Sequence, residues 1–456
     1  MTNSSTRPLP RIRELPLLGS ILPFRNDRLN FFMRLRQECP EIALFHLGPA
    51  RVVMANSPQM IQAILVTHAE DFAGGFIKQL EPLLGRYSLL NLDGEPHRQQ
   101  RKMMAPSMTP RSIATYAPIM ADYTASASDN LAEGEVISIP QMMTDLTMRI
   151  IGRVLFGTDL QSDARDLADA IKTGIDYVDY LTSNVVTVPL SWPTPRNVRT
   201  RRALTTIQNS IQAMIDERRK AEKPDKDILS LLLAYRDENG QGLTDEQLRH
   251  QAITLFLAGQ ENVALALDWT WHLLLQHPDV YAAMQREVDE VLQGRLPTYE
   301  DLARLPYTLQ ILKESMRLYP SSYLTARMPV RDVVIDGYPM RKGDLVLMSN
   351  YVLHRSEALF EQPEKFLPER FSQENEKQRS RSSFIPFGAG PKICIGNHFS
   401  MQEGHLVLAV MAQRLRFELM PGPQVRAIPG PTLRITNFHV RVHRRDALAK
   451  PLAAAG

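Results

Sequence analysis

The sequence predicts a mainly α-helical protein with small antiparallel β-sheets. Three observations predict it. Apolar residues recur at helical spacing through most of the chain. Strand-like alternation is confined to three runs, 41–54 (EIALFHLGPARVVM), 333–347 (VVIDGYPMRKGDLVL) and 432–442 (TLRITNFHVRV). Between the first two lies one very long, well-capped helical stretch.

In chain order, the first 25 residues form an extended lead-in, because Pro8, Pro10, Pro16 and Gly19 interrupt any regular element. The run 41–54 follows, then helical periodicity broken by a Pro-containing loop near 186–196. Thr244 stands three residues before Gln247, the spacing of a capping box, so a helix starts at Asp245. It runs to Gln276 and stops before Pro278. At about thirty residues it exceeds the usual globular length, and its apolar character predicts burial on several sides. Within 333–347, Asp336-Gly337 and Lys342-Gly343 are turn signals. A second Pro-containing loop near 420–431 precedes the last run. Length suggests about three domains as a soft prior. Strands near both ends of the chain predict instead one integrated domain over 1–456, with the lead-in at 1–25.

Composition closes several classes. Hydrophobic residues make up 44% and charged residues 23% of 456 residues, which excludes a disordered chain, a collagen and a long coiled coil. A net charge of +3 does not suit a nucleic-acid binder. No apolar run has signal-peptide length at the N-terminus. The most apolar segment, 252–275, carries Gln260, Glu261, Asn262, Asp268 and His272, so no transmembrane anchor is expected. The expectation is a soluble, cytoplasmic monomer. Two cysteines, Cys39 and Cys394, exclude a disulfide framework and a four-cysteine zinc site.

The sharpest local feature is 384–399, FIPFGAGPKICIGNHF. Gly388, Gly390 and Gly396 punctuate it, and Cys394 stands between two isoleucines. Gly390 and Gly396 are expected to permit backbone shapes other residues resist, aiming N–H groups at one sulfur. A single buried thiolate suits haem iron better than zinc, which takes more ligands. Two other readings stand beside it: a structural cysteine in a Gly-rich turn, and a nucleophile with His398 as base, which would make a transferase or hydrolase. A haem-based gas sensor or carrier is the non-enzymatic rival.

The stretch Phe387-Gly388-Ala389-Gly390-Pro391-Lys392-Ile393-Cys394-Ile395-Gly396 resembles the haem-binding loop of the cytochrome P-450 family, FxxGxxxCxG. Three further patterns occur in that family's order. Glu314-Ser315-Met316-Arg317 is similar to its ExxR pair, on one helix face. Pro368-Glu369-Arg370-Phe371 resembles its PERF segment, and Arg370 would join Glu314 and Arg317 in a buried charge network. His97 and Arg101, four apart, resemble its [WH]xxxR element, which holds haem propionates, and Arg327 resembles a third propionate contact. Ala258-Gly259-Gln260-Glu261-Asn262 resembles its oxygen-activation segment, [AG]GxxT. The resemblance implies the family's fold, with the haem between the long central helix and the cysteine loop.

It further implies haem b with Cys394 as the metal ligand. Phe387, Gly388 and Gly396 would shape the loop, and His97, Arg101, Arg327 and Lys392 would contact the cofactor. Small residues at Ala258 and Gly259 would let a ligand approach the long helix, and Glu261 and Asn262 would deliver protons. The implied function is a monooxygenase that hydroxylates or otherwise oxidises a lipophilic small molecule in secondary or lipid metabolism. Electrons would come ultimately from NAD(P)H through a separate ferredoxin or flavodoxin and its reductase, with Lys392, Arg98 and Lys102 as docking charges. By the same analogy the substrate pocket takes in Phe76, Ile77, Leu80, Tyr177, Val178, Leu181, Val186, Tyr323, Leu324 and Phe438.

Two departures matter. Asn262 replaces the usual threonine and has no hydroxyl proton to relay. It could order a relaying water, the substrate could bring its own hydroxyl, or the enzyme could isomerise or dehydrate instead of activating dioxygen. Lys392 stands where Arg or His is usual, a point charge rather than a bidentate fork.

Overall fold

The computed structural model describes residues 6–445 except 76, 160–163, 185–186, 221–226, 237 and 239, and only the backbone at 77, 78, 164 and 165. Phe76 and Val186 therefore lie outside the described residues, as does the side chain of Ile77.

Six of the longer helices contribute to the site, α1 (Gly94–Met104), α2 (Ile139–Phe156), α3 (Ala164–Ser183), α5 (Asp245–Gln276), α6 (Pro306–Leu318) and α7 (Asn397–Arg414), and α4 (Pro195–Lys220) packs against α3; the short helix Ile77–Leu84 also reaches the cavity. The expected long helix is α5, 32 residues with the expected bounds. Its capping box is complete: the Gln247 N–H donates to Thr244 Oγ1 at 3.2 Å, and the Thr244 N–H donates to Gln247 Oε1 at 2.9 Å. Burial surrounds it as expected. Phe256 meets Phe156 of α2 at 5.8 Å between ring centroids, and Trp269 stacks flat on Tyr319 at 3.9 Å. Trp269 and Trp271 are both fully buried, and truncating either would cost about 3–5 kcal/mol. Among the described residues no helix is long and apolar enough to cross a membrane.

The run 41–54 is a hairpin, Ile42–Leu47 against Ala50–Ala55. It extends into a five-stranded sheet through Leu345–Ser349, Leu324–Pro329 and Phe72–Gly74. Pairing there is antiparallel except between Ala50–Ala55 and Leu345–Ser349, which run parallel. The run 333–347 divides as its turn signals predict. Asp336 and Gly337 both take left-handed φ, 49° and 85°, between the paired strands Val333–Ile335 and Tyr338–Met340. The run 432–442 is not one strand. Asn437, at φ 57°, breaks it into Leu433–Thr436 and His439–Arg444, which join different sheets.

The lead-in is extended only to about Gly19; Ile21–Asn26 is helical. The extended part is docked: the Leu44 N–H donates to the Pro10 carbonyl at 2.7 Å, and Leu9 and Ile12 are buried.

Candidate active site

The cysteine loop lies between the short helix Gln373–Gln378 and α7. The Cys394 N–H donates to the Phe387 carbonyl at 2.9 Å, and the Ile393 N–H to the Gly390 carbonyl at 3.1 Å, which folds the loop into a compact bend. Gly390 is required here. Its φ is 71°, and a Cβ would stand 1.9 Å from the Leu65 carbonyl oxygen. Gly388 is also left-handed, at 74°. Gly396, against expectation, has an ordinary φ of −89°; its contribution is an N–H that bonds the Cys394 sulfur, one donor where several were expected.

Cys394 Sγ is accessible to water, yet that surface faces an internal cavity rather than the outside. Burial pushes its thiol up, while the Gly396 N–H and the Arg101 charge oppose that. The cavity holds about 500 Å³ and is mostly apolar. His97, Arg101, Arg327 and Lys392 reach its wall beside the sulfur, as do Phe387, Gly388 and Gly396.

Those four basic side chains are crowded and short of anions. Arg101 Nη1 donates to the Ile393 carbonyl at 2.6 Å, and Arg327 Nη1 to the Ala326 carbonyl at 2.9 Å. Lys392 turns inward to Asp93 and donates to the Leu92 carbonyl at 2.7 Å. Burial, Lys392 and Arg101 push His97 down to about 4, and burial lowers Arg101, Arg327 and Lys392 as well. Arg101, Arg327 and Lys392, with a neutral His97 beside them and Asp93 as the one acid paired with Lys392, form a site suited to a dianionic partner. A single cysteine sulfur beside it provides one metal ligand. The donor set therefore fits haem, whose two propionates and iron match it.

Beneath the loop lies the predicted charge network, and both members of its central pair are fully buried. Arg317 Nε and Nη2 donate to Glu314 at 2.7 and 2.8 Å, and Arg370 Nε stands 3.3 Å from the same carboxylate. Arg317 also donates to the carbonyls of His354, Pro363 and Lys365. Sequence reasoning missed the next link. His354 Nε2 accepts from the Ile385 N–H at 3.1 Å, tying the network to the cysteine loop. No motif marks His354; only the fold brings it there.

Helix α5 crosses the cavity with Ala258, Gly259, Glu261 and Asn262 on the wall. Ala258 opens onto it as expected. Gly259 also lines the cavity, and a Cβ there would press on Ile151 Cδ1 of α2 at 2.9 Å. Glu261 Oε1 accepts from Thr432 Oγ1 at 2.9 Å, a partner the sequence did not reveal, and burial raises its carboxyl. Asn262 Nδ2 reaches the Ala258 carbonyl at only 3.4 Å.

Of the expected pocket residues, Leu80, Val178 and Leu324 line the cavity. Tyr177, Leu181, Tyr323 and Phe438 do not. Tyr323 is fully buried, its hydroxyl donating to the Gly430 carbonyl at 2.9 Å and accepting from Arg28. Phe438 packs on His272, and Tyr177 is buried beside Tyr180. The proposed docking charges are also placed differently. Lys392 faces inward, while Arg98 and Lys102 are exposed but paired with Glu95 and Glu238.

The nucleophile reading fails on geometry. Among the described residues no hydrogen bond joins His398, which is exposed, to Cys394, and the thiol is pushed up rather than down.

Comparison with known proteins adds an independent line. The family model described as Cytochrome P450 matches residues 8–439. Cyclooctat-9-en-7-ol 5-monooxygenase of Streptomyces melanosporofaciens is 34% identical over 410 residues, 90% of this chain and 89% of the relative. Pentalenene oxygenase of Streptomyces avermitilis is 28% identical over 431 residues, 94% of each. The solved structure of retinoic acid bound cyanobacterial CYP120A1 superposes with a TM-score of 0.86 at 25% identity, covering 97% of this chain and 100% of its own.

Proposed function

The chain belongs to the cytochrome P450 family, haem-carrying oxidoreductases that incorporate oxygen, and from that premise we propose that it hydroxylates a cyclic terpene. One observation carries the reading. A single mostly apolar cavity brings the Cys394 sulfur, the basic cluster and the Ala258–Asn262 turn of α5 together. Two relatives named for oxygenating cyclooctat-9-en-7-ol and pentalenene support a terpene, and oxygen insertion over isomerisation or dehydration.

Haem, when bound, supplies the redox chemistry that activates dioxygen. The chain supplies the rest. Cys394 would be the thiolate that holds the metal, its proton released on binding, and the Gly396 N–H and Arg101 charge would help hold the anion. His97, Arg101, Arg327 and Lys392 would seat the propionates. Glu261 keeps Oε1 engaged by Thr432, which leaves Oε2 to hold and pass a proton. Asn262 orders the proton's path by its amide. Leu80, Leu83, Ile175 and Val178 exclude bulk water. Electrons come from NAD(P)H through a separate ferredoxin or flavodoxin and its reductase, and the whole works as one domain over 1–456.

Purified protein tests this. It should take up haem and give the far-shifted ferrous–CO band of thiolate ligation. With surrogate redox partners and labelled dioxygen, product from a panel of cyclic terpenes should carry one labelled oxygen. Protein that takes up no haem, or product without label, overturns the proposal.

A further inference from the structure

Glycine is the costliest residue short of proline for a helix interior. Gly174 nevertheless stands in the middle of the 20-residue helix α3, buried, on the face it shares with Ile171 and Val178. Ile175 and Val178 line the cavity; Gly174 itself does not. The place its side chain would take belongs to Leu83 of the short helix Ile77–Leu84. A Cβ at 174 would lie 2.7 Å from Leu83 Cδ1, with Cδ2 and Cγ both at 3.7 Å. Leu83 is a cavity residue, so the missing methyl sets how far that wall stands back.

The backbones on both sides are held. Beyond Leu83 the chain is bound to α5: a Cβ on Gly85 would run into the His250 ring, and the Leu89 N–H donates to Gln251 Oε1 at 3.3 Å. Helix α3 is tied on its far side, where Asp176 Oδ1 accepts from Arg434 Nη1 at 3.4 Å and Ser183 Oγ accepts from Arg28 Nη2 at 3.1 Å. A side chain at 174 therefore moves the Leu83 side chain rather than either helix. Carbon atoms in contact stand about 3.5 Å apart, so the methyl must retreat by roughly 1 Å. The open space beside Leu83 is the cavity, and a change of rotamer carries the methyl into it.

We propose that Gly174 is a positioning residue for substrate width: by leaving out its side chain it seats Leu83 against α3 and opens a recess that admits a multi-ring skeleton. The substrate class is then a polycyclic terpene rather than an open-chain one of the same composition. The terpene identity rests on the reading above; the recess rests on Gly174 and Leu83 alone. An open chain narrows to a single methylene and passes Leu83 in either position. A ring system cannot narrow, and a close-packed wall registers even one displaced methyl.

The test uses the ferric holoenzyme and two hydrocarbons of one composition, tricyclic cedrene and open-chain farnesene. Each is titrated by the substrate-induced shift of the haem spectrum. Gly174→Ala, with an unchanged ferrous–CO band, should weaken cedrene about tenfold, as overpacking does, and hold farnesene within about twofold. Adding Leu83→Val to that variant shortens the displaced side chain and should return cedrene to within about threefold of the wild type. Leu83→Phe alone, which leaves α3 as it is, should give the same selective loss. N-adamantylimidazole and N-decylimidazole, which bind haem iron directly and carry side groups of equal carbon number, repeat the comparison without a terpene. Loss of both members of a pair alike, loss of neither, or failure of Leu83→Val to restore the broad member overturns the recess. If neither hydrocarbon shifts the wild-type spectrum while the imidazole pair shows the selective loss and its rescue, the terpene reading falls and the recess stands.

Discussion

His354 offers the most direct test of how the fold holds its cysteine. The perturbation is His354→Leu. Leucine fills most of the volume between Phe384 and Phe360, whose rings lie 5.2 and 6.5 Å from the imidazole. It removes the acceptor of the Ile385 N–H and leaves that buried donor unpaired, which costs about 1–3 kcal/mol. Packing changes little, so the loss should stay within that range. Because Ile385 opens the loop that ends at Cys394, the loss should appear twice: as a lower urea midpoint and as faster transfer of haem to an acceptor apoprotein. His354→Gln, which keeps an acceptor, should recover part of both. The pH profile gives a further readout. Burial and Arg317 push His354 down to about 3, below its unfolded value of about 6.5. The unfolded chain therefore binds the proton first, so the stability that His354 confers is present above about pH 6.5 and is lost as pH falls towards 3. In the leucine variant the acid side of the profile should be shallower by up to about 1.4 kcal/mol per pH unit. An unchanged midpoint together with unchanged haem loss would refute the link between network and loop.

Three other outcomes are expected. Arg317→Lys retains a charge for Glu314 but not the fork that also serves the carbonyls of His354, Pro363 and Lys365, and should cost about 2–4 kcal/mol in urea unfolding. Gly390→Ala must shift either a left-handed residue or the Leu65 carbonyl 1.9 Å from its Cβ, and should yield protein that binds little haem, seen as a lost Soret band. Glu403 is fully buried in α7, neither carboxyl oxygen has a hydrogen-bond partner among the described residues, and burial raises it well above the usual range. The folded state thus holds that proton longer than the unfolded chain. The stability it gives is complete below about pH 4 and falls as pH rises through the folded value. Glu403→Gln should flatten that alkaline decline in thermal melts, and an identical slope would count against it.

The sequence made legible whatever depends on spacing. Thr244 and Gln247 sit three apart, so the start of α5 could be read directly. Glu314 and Arg317 share a helix face for the same reason, and Asp336-Gly337 has the chemistry its turn demands. What depends on tertiary approach was hidden. The close approach of Ile151 of α2 to Gly259 could not be read from the segment Ala258–Asn262. Tyr323 and Leu324 are neighbours in sequence; one is a buried strut to Gly430 and the other faces the cavity, and alternation alone could not say which. Lys392 read as an exposed docking charge because its partners, Asp93 and the Leu92 carbonyl, lie far upstream. His354 and Thr432 carry no signature, since each matters only through one hydrogen bond across the fold.

The cavity wall draws on residues as far apart as Leu65 and Thr432, and the loop holding Cys394 closes against the Leu65 carbonyl. On the ribosome, the hairpin Ile42–Ala55 waits for strands Leu324–Pro329 and Leu345–Ser349 to complete its sheet, and the ligand sulfur follows only after them. Cofactor capture is thus a closing event in biosynthesis. A chain halted before Ile393 would lack both the carbonyl that holds Arg101 and the sulfur that is to hold the metal.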